Sequence, residues 1–117
     1  IGNKAVASAI NDAIFYFFIP REQWGGLSFY ASTAVAMNVP NQSTNALSNW
    51  GIGAYMQGDY NEAKSLFYAA LERDDQFAED EASYYLSVIF EKEGNLEEAE
   101  KYRKRCEVAG GYTPTFL

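Results

Sequence analysis

The sequence predicts an all-α protein of about three antiparallel helix hairpins that stack into an α-α superhelix. Three observations support this fold class. Helix start and stop signals recur throughout the 117 residues, and apolar residues stand at helical spacing in 3–18. The openings GDYNEA and GNLEEA repeat with Gly58 and Gly94 lying 36 residues apart, a period typical of helical repeats. No stretch shows strand alternation bounded by turn residues.

The first two predicted helices lie in the least charged part of the chain. Residues 3–18 carry apolar side chains at the spacing of an amphipathic helix. Pro20 suits the first turn of a second helix, which we expect to run to about Met37 and to end before Val39-Pro40. The glycine pair at positions 25 and 26 weakens the prediction of this second helix.

The third and fourth helices are separated by a glycine turn. Asn41 or Ser43 can cap the third helix, which is predicted to last to about residue 57 and to end at Gly58. Asp59 and Glu62 form a start resembling a capping box for the fourth helix, which runs to about residue 73.

The last two helices repeat this arrangement. We expect the acidic run DDQFAED, residues 74–80, to connect the fourth helix to a fifth that covers about 79–93 and stops at Gly94. Asn95 and Glu98 repeat the start signal, and the sixth helix is predicted to end at Gly110-Gly111.

This pattern resembles the tetratricopeptide repeat, a helix–turn–helix unit of roughly 34 residues. In the better copy the matching residues are Leu47, Trp50, Gly51, Ala54, Ala63, Phe67 and Ala70. In the second copy they are Ser83, Leu86, Ser87, Phe90, Ala99 and Cys106, while Arg103 stands where the family usually has an aromatic. The resemblance implies one domain over 1–117, with a degenerate hairpin at 1–40, the best repeat at 41–75, a second repeat at 76–111 and a tail at 112–117.

Sel1-like repeats are a less well matched alternative. The 36-residue spacing and the pair Ala69-Ala70 favour that family, but the glycine that its motif places after the alanine pair is missing.

The resemblance to tetratricopeptide repeats also implies a binding surface, because the first helix of each pair lines a concave groove in that family. Helical spacing maps this face onto the third and fifth helices. The predicted partner-binding residues are Asn45, Ser48, Ile52, Tyr55, Glu81, Tyr84, Val88 and Glu91. Their chemistry predicts an apolar or mildly basic partner segment. We expect alanine at both predicted tyrosines to abolish partner capture without changing the melting temperature.

Composition narrows the function classes. The net charge of −7 makes nucleic acid a poor partner. The apolar run AIFYFFI is about a third of the roughly 20 residues that a membrane helix needs, so no membrane insertion is expected. The basic run KYRKR lies among glutamates, as in a solvated helix face. One cysteine, Cys106, excludes an internal disulfide and favours a reducing compartment such as the cytoplasm.

Catalysis finds no support in the sequence. The chain has no histidine, no phosphate-binding glycine loop and no serine or cysteine beside an evident activator. We therefore expect no enzyme activity, no cofactor and no metal site.

The sequence thus predicts a protein–protein interaction module or scaffold that binds a partner peptide or helix in its groove. The alternative is a structural assembly or oligomerisation unit that uses the apolar first hairpin. Lys4, Asp12, Arg21 and Glu22 are the only charges before Gly58, and they sum to zero. The start at residue 1 without methionine also suggests a piece of a longer chain.

Overall fold

The computed structural model describes residues 2–73 and 75–108, without the side chains of 107 and 108, and this part of the chain is all-helical. The six α-helices are α1 (Asn3–Ala13), α2 (Trp24–Ala36), α3 (Gln42–Met56), α4 (Tyr60–Leu71), α5 (Gln76–Lys92) and α6 (Leu96–Val108). A π-helical segment, Ile14–Phe18, continues α1. The predicted all-α class is confirmed. The predicted helix end at Gly110-Gly111 and the tail at 112–117 lie outside the described residues.

The turns before α4 and α6 share one conformation. Gly58 and Gly94 adopt φ values of 82° and 81°, a backbone conformation that residues other than glycine adopt at an energetic cost. Asp59 Oδ1 accepts a hydrogen bond of 3.1 Å from the backbone N–H three residues later, and Asn95 Oδ1 accepts one of 3.2 Å at the same spacing. The predicted helix ends at these two glycines and the predicted caps at Asp59 and Asn95 are confirmed.

The start of α2 differs from the prediction. Pro20 lies in a turn, and α2 begins only at Trp24. Glu22 has φ 53°, which interrupts helical geometry, and Gln23 N–H donates back to the Phe18 carbonyl at 3.0 Å. The connection therefore closes on the π-helical segment rather than continuing as helix.

The start of α5 also differs, because the helix begins three residues earlier than predicted. Asp75 Oδ1 accepts a 2.9 Å hydrogen bond from Ala78 N–H and so caps the helix. Most of the acidic run that we expected to be a connector is helical.

The cap of α3 combines both predicted residues in a different way. Asn41 occupies the cap position with φ 67°, but its side chain makes no capping hydrogen bond. Ser43 Oγ instead accepts from Val39 N–H at 2.7 Å and donates to the Ala34 carbonyl at 2.8 Å, which ties the start of α3 to the end of α2.

The core is continuous along the chain of helices. Its main cluster joins α3 to α6 around Phe67 and Tyr85, whose rings stack at 5.3 Å. A smaller cluster holds Ile14 and Leu27 together, and Trp50 packs against both clusters. Since α1 contacts α3 and α3 contacts α5, these three helices lie side by side and form one face of the molecule.

Candidate functional site

A polar groove runs along the face formed by α1, α3 and α5. It consists of two adjoining cavities of about 390 Å³ and about 210 Å³, and both are lined by Asn45 and Phe77. The larger cavity lies at the amino-terminal ends of α3 and α5. The polar and aromatic side chains lining the groove include Asn11, Phe15, Asn41, Gln42, Thr44, Asn45, Ser48, Asn49, Asp75, Phe77 and Glu81.

Four of the eight predicted partner-binding residues meet in this groove: Asn45, Ser48, Ile52 and Glu81. Asn45 is exposed, whereas the other three residues are buried beneath the groove. The groove therefore presents the Asn45 amide directly, and the three buried residues shape its floor.

The other four predicted residues lie outside the two cavities. Tyr55 is only 8% exposed and belongs to the main core, where its ring stacks on Tyr60 at 5.6 Å. Burial raises the pKa of the Tyr55 hydroxyl above its ordinary value. Replacing Tyr55 with alanine would open a core cavity, so an unchanged melting temperature is not expected of the double tyrosine variant.

Tyr84 and Val88 are half-buried against the core, and Glu91 forms an ion pair of 2.9 Å with Arg103 of α6. The predicted face therefore extends along α5 beyond the groove, to two residues that pack against the core and to Glu91, which is exposed and paired with α6.

The first hairpin contributes groove residues that sequence reasoning missed. Asn11 Nδ2 donates to the backbone carbonyl and to Oε1 of Gln42, both at 2.9 Å, and so joins α1 to α3.

Asn41, Asn45 and Asn49 recur every four residues, a spacing that places them along one side of α3 and that could have indicated a polar face.

Two buried polar atoms beside the groove have no hydrogen-bond partner among the described residues. They are Asn11 Oδ1 and Ser48 Oγ. A buried polar atom without a partner costs about 1–3 kcal/mol, and native structures contain few of them. These two atoms place hydrogen-bonding capacity beside the cavities.

The groove is acidic and has an aromatic edge. Asp75 and Glu81 line it, and none of its described lining residues is lysine or arginine. Phe77 is 60% exposed and Phe15 is half exposed, so both offer ring surface to a bound segment. The arrangement can bind hydrogen-bonding groups, positive charge and apolar side chains together.

The described residues place no three metal-ligating side chains close enough to hold an ion. Over the same residues, every helix is too short or too polar to cross a bilayer.

Comparisons with protein-family models, with curated proteins and with solved structures found no significant match. The resemblance to tetratricopeptide repeats therefore stays a prediction from the sequence.

Proposed function

We propose that this chain is a protein–protein interaction module, built from tetratricopeptide-like repeats, that binds a segment of a partner protein in the polar groove. The main support is that three helices, distant in sequence, bring amide, carboxylate and aromatic side chains to one pair of adjoining cavities. A preformed concave surface binds at a lower entropic cost than one that must order on contact.

The amides suit a peptide chain. Each Asn or Gln side chain offers both donors and acceptors, as the peptide group does. Asn45 is exposed between the two cavities, and Asn49 is half-buried about one turn further along α3. A bound backbone would exchange hydrogen bonds with these amides in either chain direction.

The charge of the groove favours a basic segment. The carboxylates of Asp75 and Glu81 attract lysine or arginine side chains, and the whole chain carries a net charge of −7. Phe15 and Phe77 add contacts for an apolar residue beside the basic one. The partner segment is thus mildly basic with at least one apolar anchor.

A displayed library of random peptides tests this proposal. The 117-residue chain should enrich peptides with basic and apolar residues, and binding of an enriched peptide should weaken at least about tenfold in the variant Asn45→Ala with Phe77→Ser. Both substituted side chains are exposed, so the variant should melt as the parent does.

A matched control is Phe29→Ser, since Phe29 is 66% exposed but lies on α2, away from the groove. This control should bind the enriched peptide with unchanged affinity. Equal binding by the groove variant and the parent would exclude the groove as the binding site.

A further inference from the structure

The first hairpin also carries an apolar cavity, separate from the two cavities of the polar groove. It measures about 540 Å³ and lies between α1 with the π-helical segment and Tyr30 of α2. Every lining residue is apolar or aromatic, among them Ala5, Val6, Ala9, Phe17 and Tyr30. The ring of Phe29 contacts that of Tyr30 at 5.3 Å beside it. We call this surface, with Phe29, the apolar end face.

The apolar end face lies on the side of the hairpin that turns away from the rest of the domain. Ile14, Leu27 and Ala31 are fully buried in the smaller core cluster, whereas Phe17, Phe29 and Tyr30 on the same elements are exposed. Exposed apolar patches of this kind mark interaction sites in soluble proteins.

The opposite end of the helix chain has a different character. On α6, Ala99 and Tyr102 pack in the core, while the described outward side chains are mostly charged, including Glu97, Lys101 and Lys104. A polar outer face is typical of an end that closes a helical array. Among the described side chains of α6, Leu96 is the exposed apolar one, at 67%, so the outward side of this helix does not match the apolar end face.

The charge distribution also favours a second copy of this chain as the partner of the apolar end face. The four charges before Gly58 sum to zero, so the excess of seven negative charges lies in the remainder of the chain. The apolar cavity is lined by no charged side chain. The Arg21 guanidinium lies 4.1 Å from the centre of the Phe17 ring. Two copies that meet at their apolar end faces therefore bring together hairpins of zero summed charge and keep their acidic parts apart.

We propose that two copies of this chain associate head to head through their apolar end faces, about a two-fold axis. Each copy supplies both a cavity and a projecting ring, Phe29, which are the two parts that a self-complementary contact requires. The contact uses the same surface on both copies, so it closes at two. A filament would need the apolar end face to bind the charged side of α6.

This association goes beyond peptide binding in the polar groove and uses different residues. The apolar end face and the polar groove share none of the residues that line their cavities. Loss of either interaction can therefore be measured while the other is kept.

Sedimentation velocity of the 117-residue chain over a wide concentration range tests the proposal. The parent should show a monomer–dimer equilibrium, and Phe29→Ser should raise the dimer Kd at least about tenfold. Ala9→Glu is a second variant that places a carboxylate at the exposed cavity wall, with little effect on helix propensity, and should leave only monomer.

Phe77→Ser is the matched control, because Phe77 is 60% exposed, close to the 66% of Phe29, but lines the polar groove. It should dimerise as the parent does. A parent that stays monomeric at every concentration, a dimer that persists in both end-face variants, or species larger than a dimer would each overturn the proposal.

Discussion

Gly51 and Phe67 are fitted to each other in the main core. The Phe67 side chain is fully buried, and a Cβ atom at position 51 would lie 2.8 Å from its ring. Phe67→Ala should lower the free energy of unfolding by about 3–5 kcal/mol, because it removes a buried ring and leaves a cavity. Gly51→Ala should cost about 1–3 kcal/mol through overpacking against that ring. Urea unfolding of both variants measures these values.

The double variant separates this contact from general damage. Once Phe67 is alanine, Gly51→Ala meets no ring and gains the helix propensity of alanine over glycine, about 1 kcal/mol. The sign of the Gly51→Ala effect should therefore reverse in that background. A penalty of equal size in both backgrounds would mean that the ring is not its cause.

Tyr68 links stability to alkaline pH. Burial, helped by the neighbouring Tyr102 hydroxyl, raises the pKa of Tyr68 from 10.0 to about 12. The unfolded chain then releases this proton at lower pH than the folded chain, so the contribution of Tyr68 is complete below pH 10 and is lost as pH rises toward 12. Unfolding experiments between these pH values should show a shallower loss of stability for Tyr68→Phe than for the parent. Equal slopes would contradict this assignment.

At the scale of elements, the side-chain caps of α4 and α6 are the clearest local signals. Asp59→Ala and Asn95→Ala should each cost about 1 kcal/mol, because each leaves a backbone N–H of the first turn without its acceptor. Gln23→Ala is the control, since Gln23 occupies the cap position of α2 without a side-chain hydrogen bond. Thermal unfolding of all three variants measures these effects, and the effect of Gln23→Ala should stay within about 0.5 kcal/mol. An equal loss in all three variants would contradict the capping role.

These same elements show what the sequence can predict. The starts of α4 and α6 depend on residues three apart, so a reader of the sequence finds them from local chemistry alone. The start of α2 depends on how the chain turns back onto Phe18 of the π-helical segment, which the presence of Pro20 does not reveal. The start of α5 depends on Asp75, which is hidden in an acidic run that resembles a connector.

The candidate site was predictable only in part, for the same reason. Helical spacing placed Asn45 and Ser48 on the side of α3 where the larger cavity lies, but it could not show that Tyr55, further along, is in the core. Asn11 was missed because its role depends on a contact with Gln42, 31 residues away. Spacing within one helix specifies a face, while packing between helices decides which part of that face stays open.

At the scale of the whole molecule, the polar groove and the apolar end face should bind independently, and dimerisation should affect peptide binding only by placing two grooves in one particle. The proposed head-to-head dimer carries two polar grooves, one on each copy, and the groove cavities share no lining residue with the apolar cavity. The affinity of one groove for one free peptide should therefore be the same in the parent and in Phe29→Ser. Isothermal titration with a single soluble peptide checks this equality.

A densely immobilised peptide should give a different result, because a dimer can then bind at two points. The second contact becomes intramolecular, which raises avidity well above the affinity of one groove. Dissociation of the parent from such a surface should be at least about tenfold slower than that of Phe29→Ser, and the difference should vanish on a sparse surface where two peptides cannot be reached at once. Phe77→Ser should bind weakly on both surfaces, since it damages each groove but leaves the dimer intact. If Phe29→Ser instead loses affinity for free peptide, the two surfaces are not independent, and the end face acts on the groove through the fold of the first hairpin.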